Sequence, residues 1–568
     1  MSAIHAQPPR AGITSIPSAT GQQATTSREQ TASLDKSLVQ GIAWTGAVKW
    51  GAQLLSLLGT IVVARLLNPT DFGLVAMAGV LLGLIAVFNG SGLGAAVVVM
   101  RNLTNDQIAH THGLSILFGV AGFILVCLLA TPMGQYYGAP EVPLILMTMG
   151  IELVLIAMRS VPNAILEREI RFKFLALLEG WQATVTILVT VSLAWWGAGY
   201  WALVGGRLLG GAGVTSVIVA YRPLRPAWPS MGVLREVIRF SSRVLVSRVA
   251  WFVSASSDLF IAGWALGGAI LGTYSFAVSI SSVPMEKVTA LASRVMPSFY
   301  STVQHDVAAM RRYFLTLTEG LALITFPLAA GMAFVAQDFV SVALGDKWTG
   351  VIAPLQILAG WAAVRSVAGL VSPLLYVTGG SRVAMLNGLF CMATYPMAFW
   401  IGSRWGTVGL AVAWVLVQPP SWIAPYRHVL RAIHLSPRSY LQAFWPALSG
   451  VLIMGTCVYG VQASHLCEAW SPISRLVCEV SIGAAAYVGT MLLLHRARIR
   501  VFLAFVRVDA QKAVHEEVNE APRSKLRGIT ELNFEDFSEA EANFVASYGE
   551  SQVQKLRRMV RQSRGKAA

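Results

Sequence analysis

Apolar runs recur along the chain at about 42–64, 73–99, 113–131, 143–166, 174–196, 200–220, 244–264, 269–293, 315–336, 351–378, 383–402, 408–426, 442–462 and 473–494. Each is long enough to cross roughly 30 Å of hydrocarbon as a helix. The pattern predicts an all-α polytopic membrane protein of about fourteen spans, with short polar connections such as Gly197-Ala198-Gly199 and Ala265-Leu266-Gly267-Gly268.

The connections also carry a direction. With the N-terminus placed in the cytoplasm, sixteen basic residues fall in inner loops and three, Arg65, Lys347 and Arg404, in outer ones. That asymmetry follows the positive-inside rule and predicts both termini in the cytoplasm. Composition agrees: 55% of the 568 residues are apolar and 12% are charged. A soluble domain carries about 25% charged residues, so a water-facing enzyme is excluded. The net charge of +15 follows from the loop bias and does not call for nucleic acid. Four of the five cysteines lie inside apolar runs and none has metal-type spacing, so they read as small buried hydrophobes.

Two halves repeat. A shift of 199 lays Leu67, Phe72, Gly73 and Ala78 on Leu266, Leu271, Gly272 and Ala277, and Lys49 on Arg248. A shift of 206 lays Ala157-Met158-Arg159-Ser160-Val161 on Ala363-Val364-Arg365-Ser366-Val367. Both shifts pair spans six apart, so the halves share one orientation and are related by an axis along the membrane normal. The expected organisation is a disordered tail at 1–37, a six-span lobe at 38–225, a second at 226–435, two added spans at 436–495 and a charged tail at 496–568.

Charge inside hydrocarbon costs about 2.5–3.5 kcal/mol near the centre, so such residues face water or a partner. Lys49, Arg159, Arg207, Arg248 and Arg365 are therefore candidate substrate-binding residues, with Asp258 and Glu286 as candidate gating or ion-coupling carboxylates. Ser275, Ser279, Ser282, Glu286, Thr289 and Ser293 fall on one helical face. Such a row serves either as helix–helix glue or as the wall of a water-filled path. The duplicated basic positions predict an electropositive cavity between the lobes, suited to a phosphate or pyrophosphate headgroup. No phosphate loop, HExxH, GxSxG or paired His/Cys set occurs, so nothing calls for a cofactor, a metal or enzymatic chemistry.

The strings Ala64-Arg65-Leu66-Leu67-Asn68-Pro69-Thr70-Asp71-Phe72-Gly73-Leu74, Pro162 to Lys173, Gly199 to Val204, Leu271 to Ser275 and Arg294 to Phe299 resemble the polysaccharide-transporter (Wzx-type) family of the multidrug/oligosaccharidyl-lipid/polysaccharide exporter superfamily. The likeness covers about residues 38–495. It implies a two-lobed flippase that moves an undecaprenyl-pyrophosphate-linked oligosaccharide across the cytoplasmic membrane by alternating access, for surface polysaccharide biosynthesis. A cation-coupled exporter of small amphipathic compounds is the alternative in the same fold, and an intramembrane glycan polymerase or ligase is a third reading. The implied partners are the lipid-linked oligosaccharide and the bilayer. The C-terminal tail, with a short helix expected after the capping pattern Ser538-Glu539-Ala540-Glu541, either docks polymerase or export machinery or remains a solvated tail.

Overall fold

The computed structural model describes residues 51, 53, 55–90, 93–100, 103–169, 171–302, 306–464, 470–496 and 498. The expected N-terminal tail, Lys49, Cys467 and the expected C-terminal helix lie outside the described residues, as does the side chain of Glu286. The principal helices are α1 (Pro69–Gly90), α2 (Leu93–Val99), α3 (Asn105–Tyr137), α4 (Val142–Arg168), α5 (Phe172–Trp195), α6 (Tyr200–Tyr221) and α7 (Met231–Thr302). They continue with α8 (Val307–Phe334), α9 (Ile352–Ala368), α10 (Ser381–Gly402), α11 (Gly406–Ala432), α12 (Trp445–Ala463) and α13 (Pro472–Leu494), and no strand occurs among the described residues.

Against the fourteen expected spans, eleven helical stretches among the described residues are long and apolar enough to cross a membrane. Two of these, Arg248–Ser282 and Ser381–Ala432, are double-length and bend at Gly267 and at Ser403–Trp405, while the first expected span enters only as the shorter Leu55–Leu66. The outward faces are apolar: Leu128, Leu188 and Leu416 are between 59% and 69% exposed. Exposed Trp195, Trp196 and Trp405 stand at one end of the bundle and Trp228 and Trp445 at the other, where amphipathic rings meet lipid headgroups.

Local chemistry sets the helix ends. Thr104 Oγ1 accepts from Gln107 N at 3.2 Å, and Gln107 Oε1 accepts from Thr104 N at 3.0 Å, which caps α3 at its start. Gly138, at φ 62°, stops it. Asp71 Oδ2 accepts from Asn68 N at 2.9 Å and fixes the turn into α1, which gives the Asn68-Pro69-Thr70-Asp71 string its local role.

At the end of the bundle that carries Gly138, Gly199 and Gly267, the two halves meet backbone to backbone. A Cβ on Gly73 would lie 1.8 Å from Gly268 O, and one on Gly272 would lie 1.8 Å from Pro69 O. The shift of 199 that relates the sequence repeats carries Pro69 onto Gly268 and Gly73 onto Gly272. Each contact is therefore the image of the other, and the pseudo-two-fold axis runs between them. Gly267, at φ 77°, takes the sharp bend that begins the second limb of α7, a backbone region L side chains rarely enter.

Side chains reinforce this sealed end. Trp348, fully buried, donates its indole N–H to Ala64 O at 2.8 Å, and Phe72 lies edge-on between Trp348 and Phe276. Arg65 Nε donates to Ala343 O at 2.8 Å and its Nη2 to Val342 O, within the π-helical turn Val340–Leu344. Lys347 Nζ donates to Arg65 O at 2.7 Å. One apolar core, including Met77, Leu146, Tyr274, Trp348 and Leu355, continues through both halves here.

Because the halves approach through carbonyl oxygens, Gly73→Val and Gly272→Val are each expected to force this end apart, at about 1–3 kcal/mol for an overpacked contact. A cysteine placed at buried Met77 is the reporter: its labelling by a membrane-impermeant maleimide should rise several-fold in either glycine variant. Unchanged labelling would show that the contact does not hold the end closed.

Candidate functional site

Away from the sealed end, a cavity of about 570 Å³ opens among α2, α4, α5, α6 and the first limb of α7. Its polar wall comes from three helices. Arg159, Asn163 and Glu167 of α4 stand four residues apart and share one face. Glu179 and Gln182 line it from α5, and Arg248 reaches it from α7, in the second half of the chain. The close passage of α2 past α4 depends on a small residue, since a Cβ on Gly94 would be 3.3 Å from Ser160 Oγ.

Arg159 and Arg248 stand at similar depth. Arg159 is seventeen residues along α4 from Val142 and Arg248 nineteen residues before the bend at Gly267. At 1.5 Å per residue, both are roughly 25–29 Å from the sealed end. Arg159 Nη1 is buried with no hydrogen-bond partner, and Arg248 pairs with no carboxylate among the described residues. A guanidinium nitrogen left in this way has donor capacity that no group of the protein uses among the described residues.

The repeat partner of Arg159 is bonded differently. This expected counterpart, Arg365, donates from Nη2 to Ser282 Oγ at 2.8 Å. Position 282 falls on Gly83 under the 199 shift, and Gly83 offers no hydroxyl. The paired arginines are thus put to different uses: one is bonded inside the second half, the other opens into the cavity.

Several expectations change in consequence. Arg365 does not line this cavity. Arg207 is taken up by an ion pair with Glu152, Nε to Oε2 at 2.6 Å, on a half-exposed face between α4 and α6. The cavity is of mixed sign, since Glu167 and Glu179 line it beside the two arginines. Asn163 Nδ2 donates to Glu167 Oε1 at 2.8 Å. Sequence reasoning passed over Asn163, Glu167 and Gln182. The signal for the first two was the four-residue spacing from an arginine inside an apolar run.

Asp258 is 2% exposed and lies in a closed network, not on a wet path. Its carboxylate accepts from Leu259 N at 2.8 Å, Tyr274 Oη at 2.9 Å and Trp414 Nε1 at 3.0 Å, which ties both limbs of α7 to α11. Position 258 falls on Gly59 under the same shift, so the first half has no equivalent. On the hydroxyl row, Ser275 and Ser279 bond back to their own helix at Gly272 O and Ser275 O.

Comparison with known proteins places these features. Lipopolysaccharide biosynthesis protein WzxC of Escherichia coli (strain K12) is 22% identical over 422 residues, covering 73% of this chain and 85% of that protein. Succinoglycan biosynthesis transport protein ExoT of Rhizobium meliloti (strain 1021) is 21% identical, covering 84% of this chain and 97% of the other. Among solved structures, the lipid II flippase MurJ in an inward closed conformation superposes with a TM-score of 0.67 at 12% identity, over 80% of this chain and all of that one. An inward-facing multidrug resistance MATE transporter of the MOP superfamily follows at 0.53 and 16%, over 70% of this chain and 98% of that one. At such identities the superpositions establish a shared fold. The family model described as polysaccharide biosynthesis protein matches residues 62–353, about half of the chain, and the chain belongs to that family.

Proposed function

We propose that the protein is a flippase for a lipid-linked oligosaccharide, the undecaprenyl-pyrophosphate-linked repeat unit of a surface polysaccharide, working by alternating access across the cytoplasmic membrane. The observation that carries this reading is that Arg159 of the first half and Arg248 of the second line one cavity, with a buried Arg159 nitrogen left unpaired. Two guanidinium groups on opposed elements suit the two phosphates of a pyrophosphate, and Asn163 and Gln182 beside them suit sugar hydroxyls. The sealed end with its image-related glycines supports a cycle in which that end and the cavity end open in turn. The names of WzxC and ExoT, given for biosynthesis and transport of polysaccharides, support the substrate class.

In this reading the protein moves its substrate and does no chemistry on it. Both termini face the cytoplasm, as the basic loops suggest, and the C-terminal tail is free to meet polymerase or export machinery. The two lobes are residues 38–225 and 226–435, followed by two added spans. Lys49 joins the arginines at the headgroup. Asp258 acts in gating, by holding the limbs of α7 to α11 in one of the two states.

Arg159→Ala and Arg248→Ala should each lower transport roughly ten- to a hundredfold, the weight of one charge-assisted bond of about 1.5–3 kcal/mol. Lysine replacements should cost less. The measurement is flipping of lipid-linked oligosaccharide in proteoliposomes, alongside polysaccharide export in cells with membrane levels matched. Full transport by the double alanine variant would remove the assignment.

Arg207→Ala serves as the internal comparison. It breaks a half-exposed ion pair worth about 0–1 kcal/mol, and transport should stay within about twofold of wild type.

Asp258→Ala takes the acceptor from the buried Tyr274 phenol O–H and leaves the Trp414 indole N–H only Tyr274 Oη at 3.1 Å, at about 1–3 kcal/mol, and should lower the melting temperature. Asp258→Asn keeps an acceptor and should melt near wild type. A gating role requires that the Asn variant still lose transport; normal transport with normal melting would leave Asp258 a structural residue.

A further inference from the structure

Between Asp346 and Glu468 the chain contains no acidic residue, yet seven lysines and arginines stand in that stretch. Some have neutral partners: Arg365 donates to Ser282, and Arg404 lies over the Trp400 ring at 4.9 Å. Arg427 and Arg431 form no hydrogen bond or ion pair through their side chains among the described residues. They stand four residues apart on the last turns of α11, and so on one face.

That face lines a cavity of about 620 Å³, opposite the turn at Thr378 that leads into α10. His428 Nε2 lies 3.3 Å from Thr378 O, which holds the ring against that turn. Ile423, one turn further along α11 toward the bundle's middle, and Val383 of α10 supply an apolar wall. Polarity therefore changes along the cavity, from guanidinium groups near the bundle's end to exposed hydrocarbon within its span. The C-terminal dipole of α11 repels an anion, so any anion held here is held by the arginines.

We propose that this cavity binds an anionic phospholipid, with its phosphate between Arg427 and Arg431 and the start of an acyl chain along Ile423 and Val383. No carboxylate pairs with either arginine among the described residues, which leaves both charges open to an anionic headgroup. Basic residues at a membrane surface attract anionic headgroups by about 1 kcal/mol each, or about fivefold in affinity per residue. The site shares no residue with the transport cavity, and it stands or falls independently of the flippase reading.

The test is native mass spectrometry of the full chain in detergent, titrated separately with phosphatidylglycerol, phosphatidylcholine and inorganic phosphate. Phosphatidylglycerol should be retained over phosphatidylcholine, and excess inorganic phosphate should fail to displace it. Arg427→Gln and Arg431→Gln should each weaken retention about fivefold, while Arg404→Gln, at the other end of the bundle, should not. Equal retention of the two lipids by the wild type overturns the proposal, as does undiminished retention by the double Gln variant. Displacement by inorganic phosphate assigns the arginines to a free anion and overturns the lipid. Should the Gln variants aggregate, Arg427→Lys with Arg431→Lys keeps the charge, and the wild-type comparison of the two lipids still decides.

Discussion

Two carbonyl oxygens set the architecture. Gly268 O sits where Gly73 would carry a side chain, and Pro69 O does the same at Gly272, so at these two points the halves touch main chain to main chain. Van der Waals contact at that range is available only to glycine, and it brings Phe72, Phe276 and Trp348 into one aromatic cluster. The contact is short, and Arg65, Lys347 and Trp348 add directed bonds around it. Everything further along the helices can diverge from this point, because hydrogen bonding within each helix satisfies the backbone without reference to the other half.

The divergence is where function enters. The repeat carries an arginine at 159 and at 365, and the second of them donates to Ser282. The first half has Gly83 at the corresponding position, and its arginine keeps an unsatisfied nitrogen inside a cavity. Asp258 shows the reverse: the second half gains a carboxylate with two aromatic donors, while Gly59 stands in the first half and would place a Cβ 2.4 Å from Ile187. The first half thus supplies most of an open cavity of mixed charge, and the second half holds a closed polar network. This inequality between like-folded halves suits a transporter whose halves have different tasks.

Much of this was legible in the chain. The apolar runs located the helices, and the 199 shift located the symmetry axis to the residue, since glycines at the same repeat position are the ones in contact. The charge pattern singled out Arg159 and Arg248, which line one cavity. It misjudged Arg207 because Glu152 lies fifty-five residues away in sequence and becomes a neighbour only when α4 packs on α6. It read Asp258 as wet because sequence cannot show that Tyr274 and Trp414 converge on it from other segments. Hydropathy separates spans where the helices run on through bends, at Gly267 and at Ser403–Trp405.

The image-related glycines bear on how such a chain tolerates change. In a two-fold dimer of separate six-helix chains, one glycine codon would serve both sides of the contact, and any substitution would strike both at once. In the fused chain each side is encoded separately, so a lesion at Gly73 leaves Gly272 intact. Closure then weakens by halves instead of failing outright. A fused chain can therefore explore unequal lobes while one of its two hinge contacts still holds.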